Sequence, residues 1–309
     1  MIRFILARLA QAVGALLGVL TVVFFAVHAA GNPVRLLVPQ NAGAAAIARL
    51  THQLGLDRPL IDQYGTFLVN AVHGNFGYSF VQNQPALNIV LSRFPNTVEL
   101  AAGALVFALA LAIPIGILCA VYRGRWVERA LMPIILVGQS MPAFWSGILL
   151  ILIFAVHWHI FPSSGQGGLR ALILPSVTLG SISLATLARM VRGSFLEHLN
   201  REYVRTARAK GASMPRVLLR HVFRNAFLPV LTILGMETAN LLGGAVITET
   251  IFAWPGVGLL TVQAVQSLDF PLVEAVVLFA ATIYILANMA VDLLYGVVDP
   301  RLRIRGTDQ

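Results

Sequence analysis

Apolar positions gather along this chain into runs too long for the core of a water-soluble helix. Six of them, Leu9–Ala30, Val98–Val121, Ala130–Val156, Ala171–Val191, Phe227–Thr248 and Leu272–Val297, stay apolar over the length of a membrane span. About twenty helical residues cross about 30 Å of hydrocarbon at about 1.5 Å per residue. Barrel strands would instead alternate apolar with polar over about ten residues. The pattern predicts an all-α polytopic membrane protein with six transmembrane helices. The first run follows Arg3 and Arg8 and ends at Ala29–Ala30, as a secretory leader does. Its apolar stretch is longer than a leader's and its cleavage site is poor, so it reads as a retained first helix.

The runs divide the chain. Residues 1–30 hold the N-terminal tail and first helix, and 31–97 are expected to form an extracytoplasmic segment. Residues 98–297 form a five-helix core that includes a loop at 192–226, and 298–309 are a tail. Inside 31–97, Ala44–Leu54 predicts a short helix stopped at Gly55. Asp57 is placed to cap a second, with Pro59 in its first turn and Gly74 at its end. Asn75–Gln84 is rich in turn residues. No internal repeat or low-complexity tract is visible.

Composition agrees with this division. Hydrophobic residues make up 58% and charged residues 11%, against about a quarter charged in soluble domains. That is too little charge to cover a water-soluble surface. The net charge of +9 would suggest nucleic acid in a soluble protein, but the basic residues flank the apolar runs, so the reading here is no nucleic acid. With both termini inside, every Lys and Arg except Arg35, Arg49, Arg58, Arg93 and Arg170 falls on the inner side. The positive-inside rule therefore predicts a multi-pass protein with both termini cytoplasmic. The lone Cys119 excludes an internal disulfide framework.

The inner loop from Arg192 to Ala226 carries the most specific pattern. Glu197–Lys210 has helical spacing without breakers, with Glu197 and Arg201 an i, i+4 pair and Glu202 three residues before Arg205. Gly211 suits the left-handed conformation that ends a helix. Ser213 is placed to cap the next one, with Pro215 in its first turn. Tyr203, Val204, Ala207 and Ala209 form no solvent-seeking face. A helix, a tight corner and a second helix leading into the fifth span look built for docking.

Here the sequence resembles a known family. Glu202-Tyr-Val-Arg-Thr-Ala-Arg-Ala-Lys-Gly211-Ala212 is similar to the cytoplasmic coupling motif of ABC importer membrane subunits, in the form found in the dipeptide/oligopeptide/nickel permeases. Arg220-His-Val-Phe-Arg-Asn-Ala-Phe-Leu-Pro229 continues the likeness. Leu54-Gly-Leu-Asp-Arg-Pro59, Gly74-Asn-Phe-Gly-Tyr-Ser79, Ser140-Met-Pro-Ala-Phe-Trp145, Phe252-Ala-Trp-Pro-Gly-Val-Gly258, Asp292 and Asp299-Pro-Arg-Leu-Arg303 spread it over nearly the whole chain. The pattern suits the first of two paired permeases. Ala212 departs from the larger apolar residue common in the family, and Met214–Pro215 from its usual polar continuation.

The resemblance implies an ABC importer permease architecture with a cytoplasmic coupling-helix loop in a bacterial inner membrane. It implies four kinds of partner: a second homologous permease, two cytoplasmic ATPase subunits, an extracytoplasmic substrate-binding protein and the lipid membrane. The chain has no Gly-rich phosphate loop followed by Lys and Ser or Thr. It is therefore expected to be a transport subunit rather than an enzyme, with no cofactor of its own. ATP and Mg would be used by the partner ATPases. Glu202, Tyr203, Ala207, Gly211 and Ala212 would meet an ATPase. Dipeptides or oligopeptides are the expected cargo; glutathione, nickel complexes and sugars are the alternatives within the family.

Polar residues within the spans are candidates for the substrate path. Glu237 and Asn240 share a face at mid-depth of the fifth span, where a charged side chain normally faces a cavity or a partner. Contact with substrate and a neutral glutamic acid bonded to a neighbouring helix both fit. Gln139, Ser140 and Pro142 interrupt the third span, where proline frees a backbone carbonyl and kinks the helix. Asn288 and Asp292 suggest a structural bond in the last span. Glu249, Asp269 and Glu274 are expected at the outer rim, within reach of a binding protein. His157 and His159 lack the further ligands of a metal site. An ion-coupled secondary transporter is the alternative of a different class; it would leave the loop unexplained and usually shows inverted repeats. No nucleophile with a partnered base points to a membrane enzyme.

Overall fold

A computed structural model describes residues 2–30, 43–53 and 55–298, together with Val34 and Val38. Leu54, the tail motif Asp299–Arg303 and the side chain of Asp292 lie outside the described residues. The described residues are helical apart from turns and one isolated bridge between Tyr78 and Pro85. Two compact units are present, Met1–Pro95 with Gly256–Ile285, and Asn96–Pro255 with Leu286–Gln309.

The first unit holds α1 (Ile2–Ala30), α2 (Ala44–Gln53), α3 (Leu60–Val72) and the opening turns of α4 (Ala86–Val121). It also holds α12 (Val257–Gln266) and most of α13 (Phe270–Val298). Ala86, Ile89 and Val90 from α4 pack with Leu260 and Ala264 from α12 and Leu272, Ala275 and Val276 from α13. α3 lies against the end of α1, with the Phe24 ring 5.2 Å from Tyr64 and 5.5 Å from Phe67. Gly55 and Gly74 take positive φ, 68° and 69°, where the helices stop. Asp57 is not the cap of α3. Pro59 occupies that position, two residues on, and Asp57 instead bonds His52, Oδ2 to Nδ1, at 2.6 Å. That bond holds the Asp57 carboxyl below its ordinary pKa.

The second unit is built on α7 (Leu169–Leu199). Around it stand the rest of α4, α5 (Trp126–Ser140), α6 (Ala143–Leu150) with a π-helical extension (Ile151–His157), and α11 (Leu228–Ile251). α7 packs on α5, α6 and α11. It approaches α4 so closely that a Cβ on Gly180 would sit 2.5 Å from the Ala104 carbonyl oxygen. One on Gly116 would sit 2.7 Å from Val191. After α7 come α8 (Glu202–Ala209), α9 (Met214–Arg216), a π-helical turn (Val217–Val222) and α10 (Phe223–Ala226).

Among the described residues four helices, α1, α4, α7 and α13, are long and apolar enough to cross a membrane singly. The third expected span is broken rather than kinked: α5 and α6, with its extension, meet at 105°. Proline at 142 disfavours the α conformation in the residue before it, and Met141 is extended at ψ 132°. The fifth expected span, Phe227–Thr248, falls on α11, and the loop helices Met214–Ala226 before it meet Pro229–Gly243 at 51°. Counting each bent pair as one span gives six. The helix expected over Glu197–Lys210 is also two. α7 ends at Leu199 with Asn200 as its C-cap, and Arg201, extended at ψ 152°, is the N-cap of α8. No breaker residue marks that join. The turn between the helices brings Val204 onto the buried side.

Candidate functional site

The corner at 202–216 is built by backbone chemistry that its sequence permits. Gly211 takes φ 82°. Its N–H donates to the Arg208 carbonyl at 2.9 Å, and the Ala212 N–H donates to Ala207 at 3.1 Å. These paired bonds satisfy the last carbonyls of α8. Space is open where a Gly211 side chain would stand. Ser213 takes the N-cap position of α9 with Pro215 behind it, and its side chain makes no capping bond.

The two faces of α8 differ. Val204 is buried, and Tyr203, Ala207 and Ala212 pack beside it against a cluster of Ala120, Val191, Phe195, Val217, Val222 and Ala226. The Tyr203 hydroxyl is buried without a hydrogen-bond partner among the described residues. Glu202, Arg205, Thr206, Arg208, Ala209, Lys210 and Gly211 are exposed. Of the five residues expected to meet a partner, Glu202 and Gly211 therefore form surface, whereas Tyr203, Ala207 and Ala212 seat the corner on its own unit. Ala209, grouped with the inward residues from sequence, points outward. Glu197 and Arg201 are paired across the break.

A second ion pair, Arg192 with Glu128, links the C-terminal part of α7 to the first turn of α5. Glu128 also accepts the Gly124 N–H at 2.6 Å. Sequence spacing gives no signal for this pair, since 64 residues separate the partners.

Polar residues of the spans converge on α7. Ser183 donates to Glu237 Oε2 of α11 at 2.5 Å. Gln139 of α5 donates to the Thr186 hydroxyl at 3.2 Å and accepts from Arg189 at 3.4 Å. Asn240 is exposed. The Ser140 hydroxyl returns to the Leu136 carbonyl at 2.9 Å. Ser140 also lines an open concavity of about 730 Å³ with Val137, Pro142, Phe144 and Trp145. So Gln139 and Glu237 are brought to residues about one turn apart on the same helix, while Ser140 faces the concavity and Asn240 the open surface. Asn288 is half-buried.

Two of the carboxylates expected on an outer rim are buried instead. Asp269 accepts from the Ser79 hydroxyl, the Phe80 N–H at 3.0 Å and the Val81 N–H at 3.3 Å. Glu249 accepts from the Thr97 hydroxyl at 2.7 Å. Both are fully buried, which removes them from any surface contact. The Phe252–Gly258 motif is explained nearby. The buried Trp254 indole donates to the Asn96 carbonyl, the Asn96 amide donates to the Pro255 carbonyl, each at 2.8 Å, and Gln166 donates to Asn96 Oδ1 at 3.0 Å. Among the described residues no three His, Cys, Asp or Glu side chains converge as metal ligands.

Comparison with known proteins gives a consistent picture. Residues 112–304 match the family described as binding-protein-dependent transport system inner membrane component, and residues 1–101 match its N-terminal companion. The chain is 39% identical over 336 aligned positions to the dipeptide transport system permease protein DppB of Escherichia coli strain K12, covering 98% of this chain and 99% of that one. It is 40% identical over 306 positions to the glutathione transport system permease protein GsiC of the same strain, covering 99% and 100%. Among solved structures, an inward-facing MetNI methionine ABC transporter chain superposes with a TM-score of 0.58 at 18% identity, over 68% of this chain and 96% of that one. This last likeness is one of fold.

Proposed function

The chain belongs to the family of binding-protein-dependent transport system inner membrane components, and from that premise we propose that its cargo is a short peptide. It is a permease subunit of an ABC importer, a transport subunit rather than an enzyme. Two relatives matched over nearly their whole length are named for a dipeptide and for glutathione, which is itself a tripeptide. Their common chemistry is a small zwitterion with amide bonds.

In this reading the chain forms half of the translocation path beside a second permease. The 31–97 segment faces a substrate-binding protein, and both termini are cytoplasmic. The exposed face of α8, Glu202 to Gly211, docks a cytoplasmic ATPase that binds ATP and Mg. The observation that carries the docking reading is the left-handed Gly211 corner, exposed on one side and seated on a buried cluster on the other. Closure of the ATPases pushes α8, and the buried contacts carry the push into α7. Nucleotide and loaded binding protein must favour the inward and outward states differently for this to drive transport. Gln139, Ser140, Glu237 and Asn240 line the path, with Glu237 offered to the ammonium of the peptide.

Uptake of a labelled dipeptide by cells with and without the chain, lacking redundant importers, tests the cargo. Loss of uptake without the chain, with competition by unlabelled tripeptide and pentapeptide, is the expected result. Unchanged dipeptide uptake overturns the dipeptide cargo; chain-dependent uptake of labelled glutathione, nickel complexes or sugars then identifies the cargo, and glutathione alone would keep it a peptide.

A further inference from the structure

We infer that α3 is an interfacial helix, lying in the membrane surface with one apolar stripe in the acyl chains of the leaflet reached by the C-terminal end of α1. Three arcs of its surface support this. Gln63, Tyr64 and Phe67 face α1. Asp62, Thr66, Asn70 and His73 recur at three- and four-residue spacing and are exposed. Between these arcs, at 100° per residue, Ile61, Leu68, Val69 and Val72 form an apolar stripe. Leu68 at its edge is half-buried, and the rest is not covered by the chain: Ile61 is 73% exposed, Val69 60% and Val72 82%.

Depth decides what covers the stripe. The apolar span of α1 runs Arg8–Ala29, 22 residues, which at about 1.5 Å each matches the hydrocarbon thickness. Its end therefore sits near the boundary. The Tyr64 hydroxyl bonds the Thr21 hydroxyl at 2.7 Å, and Thr21 lies eight residues, or about 12 Å, short of that end. Phe24 packs on Tyr64 and Phe67, and His28 bonds Gln63 at 3.0 Å. α3 is thus held beside the last two turns of a membrane-spanning helix, at the level of headgroups and upper acyl chains. On α1 itself Val22 and Phe25 are exposed at the same level, so the apolar surface continues from one helix to the other. A helix with an apolar stripe and a separate polar face rests in this way at an interface.

Single nitroxide labels at Ile61, Thr66, Val72 and His73 test this in the full assembled transporter, reconstituted in phosphatidylethanolamine–phosphatidylglycerol vesicles with the buried Cys119 left in place. Lipid-soluble oxygen should relax the labels at 61 and 72 more than a water-soluble nickel chelate does, with the order reversed at 66 and 73. Greater relaxation by nickel at all four positions would place α3 in water and overturn the inference. Protection of 61 and 72 from both reagents would overturn it in favour of a protein partner. Because the readout does not depend on transport, it stands or falls apart from the peptide reading.

Discussion

A carboxylate withdrawn from water persists only where donors replace its hydration. Asp269 meets that condition with one hydroxyl and two backbone amides of residues 79–81. Replacing it with Ala strands three donors, each costing about 1–3 kcal/mol if left unsatisfied and buried. Asp269→Ala should therefore open the 77–86 turn to limited proteolysis in membranes, and Asp269→Asn, which retains one acceptor oxygen, should be intermediate. Gly211 poses the opposite case, a site with space but no conformational tolerance. An L-residue at its φ of 82° is strained by about 1–2 kcal/mol, while nothing blocks the side chain itself. Gly211→Asp should leave membrane levels near normal and abolish uptake, with Glu202→Lys milder; normal uptake by Gly211→Asp would remove the docking reading. For Glu237, the Ser183 bond survives an amide. Glu237→Gln should keep the protein folded and weaken uptake of peptides with a free ammonium more than of N-acetylated ones. An unchanged profile would make the residue structural.

Helices interrupt where chemistry or tertiary contact demands it, and only the first kind can be read from sequence. Pro142 marks the 105° break between α5 and α6, and Gly211 marks the end of α8, because their backbone constraints are intrinsic. Nothing local marks Asn200–Arg201, since the turn there serves the burial of Val204. The same holds for Asp57, whose capping spacing lost to Pro59 and His52. Asn96, Glu128 and Asp269 find their partners 64 to 190 residues away, and no periodicity encodes such pairings. The family likeness carried the corner, yet it did not say which residues of α8 face out; burial of Val204 and partial burial of Tyr203 and Ala207 did. Within α7 two glycines make a controlled comparison. Gly180→Val would drive its Cβ to 2.5 Å from the Ala104 carbonyl, a backbone atom that cannot yield. Overpacking of about 1–3 kcal/mol should lower the thermal midpoint and the amount in the membrane. Gly193 has nothing within 4 Å, so Gly193→Ala should be neutral or stabilising by up to about 1 kcal/mol. Equal midpoints for the two variants would contradict the close approach of α4 and α7.

At the scale of the whole molecule the docking proposal requires that a push on the eight residues of α8 reach the side chains proposed to line the path. α8 carries no apolar span of its own, and its packing on the rest of its unit centres on Val204, buried among Val191, Phe195, Val217 and Val222, with Tyr203 and Ala207 beside it. Packed interiors are nearly incompressible, so displacement of α8 moves α7 and the base of α11 with it. α7 then carries Ser183, twelve residues or about 18 Å along its axis from Phe195, together with its partner Glu237. The Arg192–Glu128 pair adds α5 to the same moving body. If transmission depends on contact, loosening the contact should separate hydrolysis from transport. Val204→Ala removes two methyl groups from a buried site and leaves the exposed face of α8 intact. In the reconstituted complex it should retain nucleotide hydrolysis and lose uptake several-fold, which raises the ATP consumed per peptide delivered. Parallel loss of both activities would mean that the cavity had cost the docking surface itself. Unchanged uptake would mean that force reaches the spans by another route.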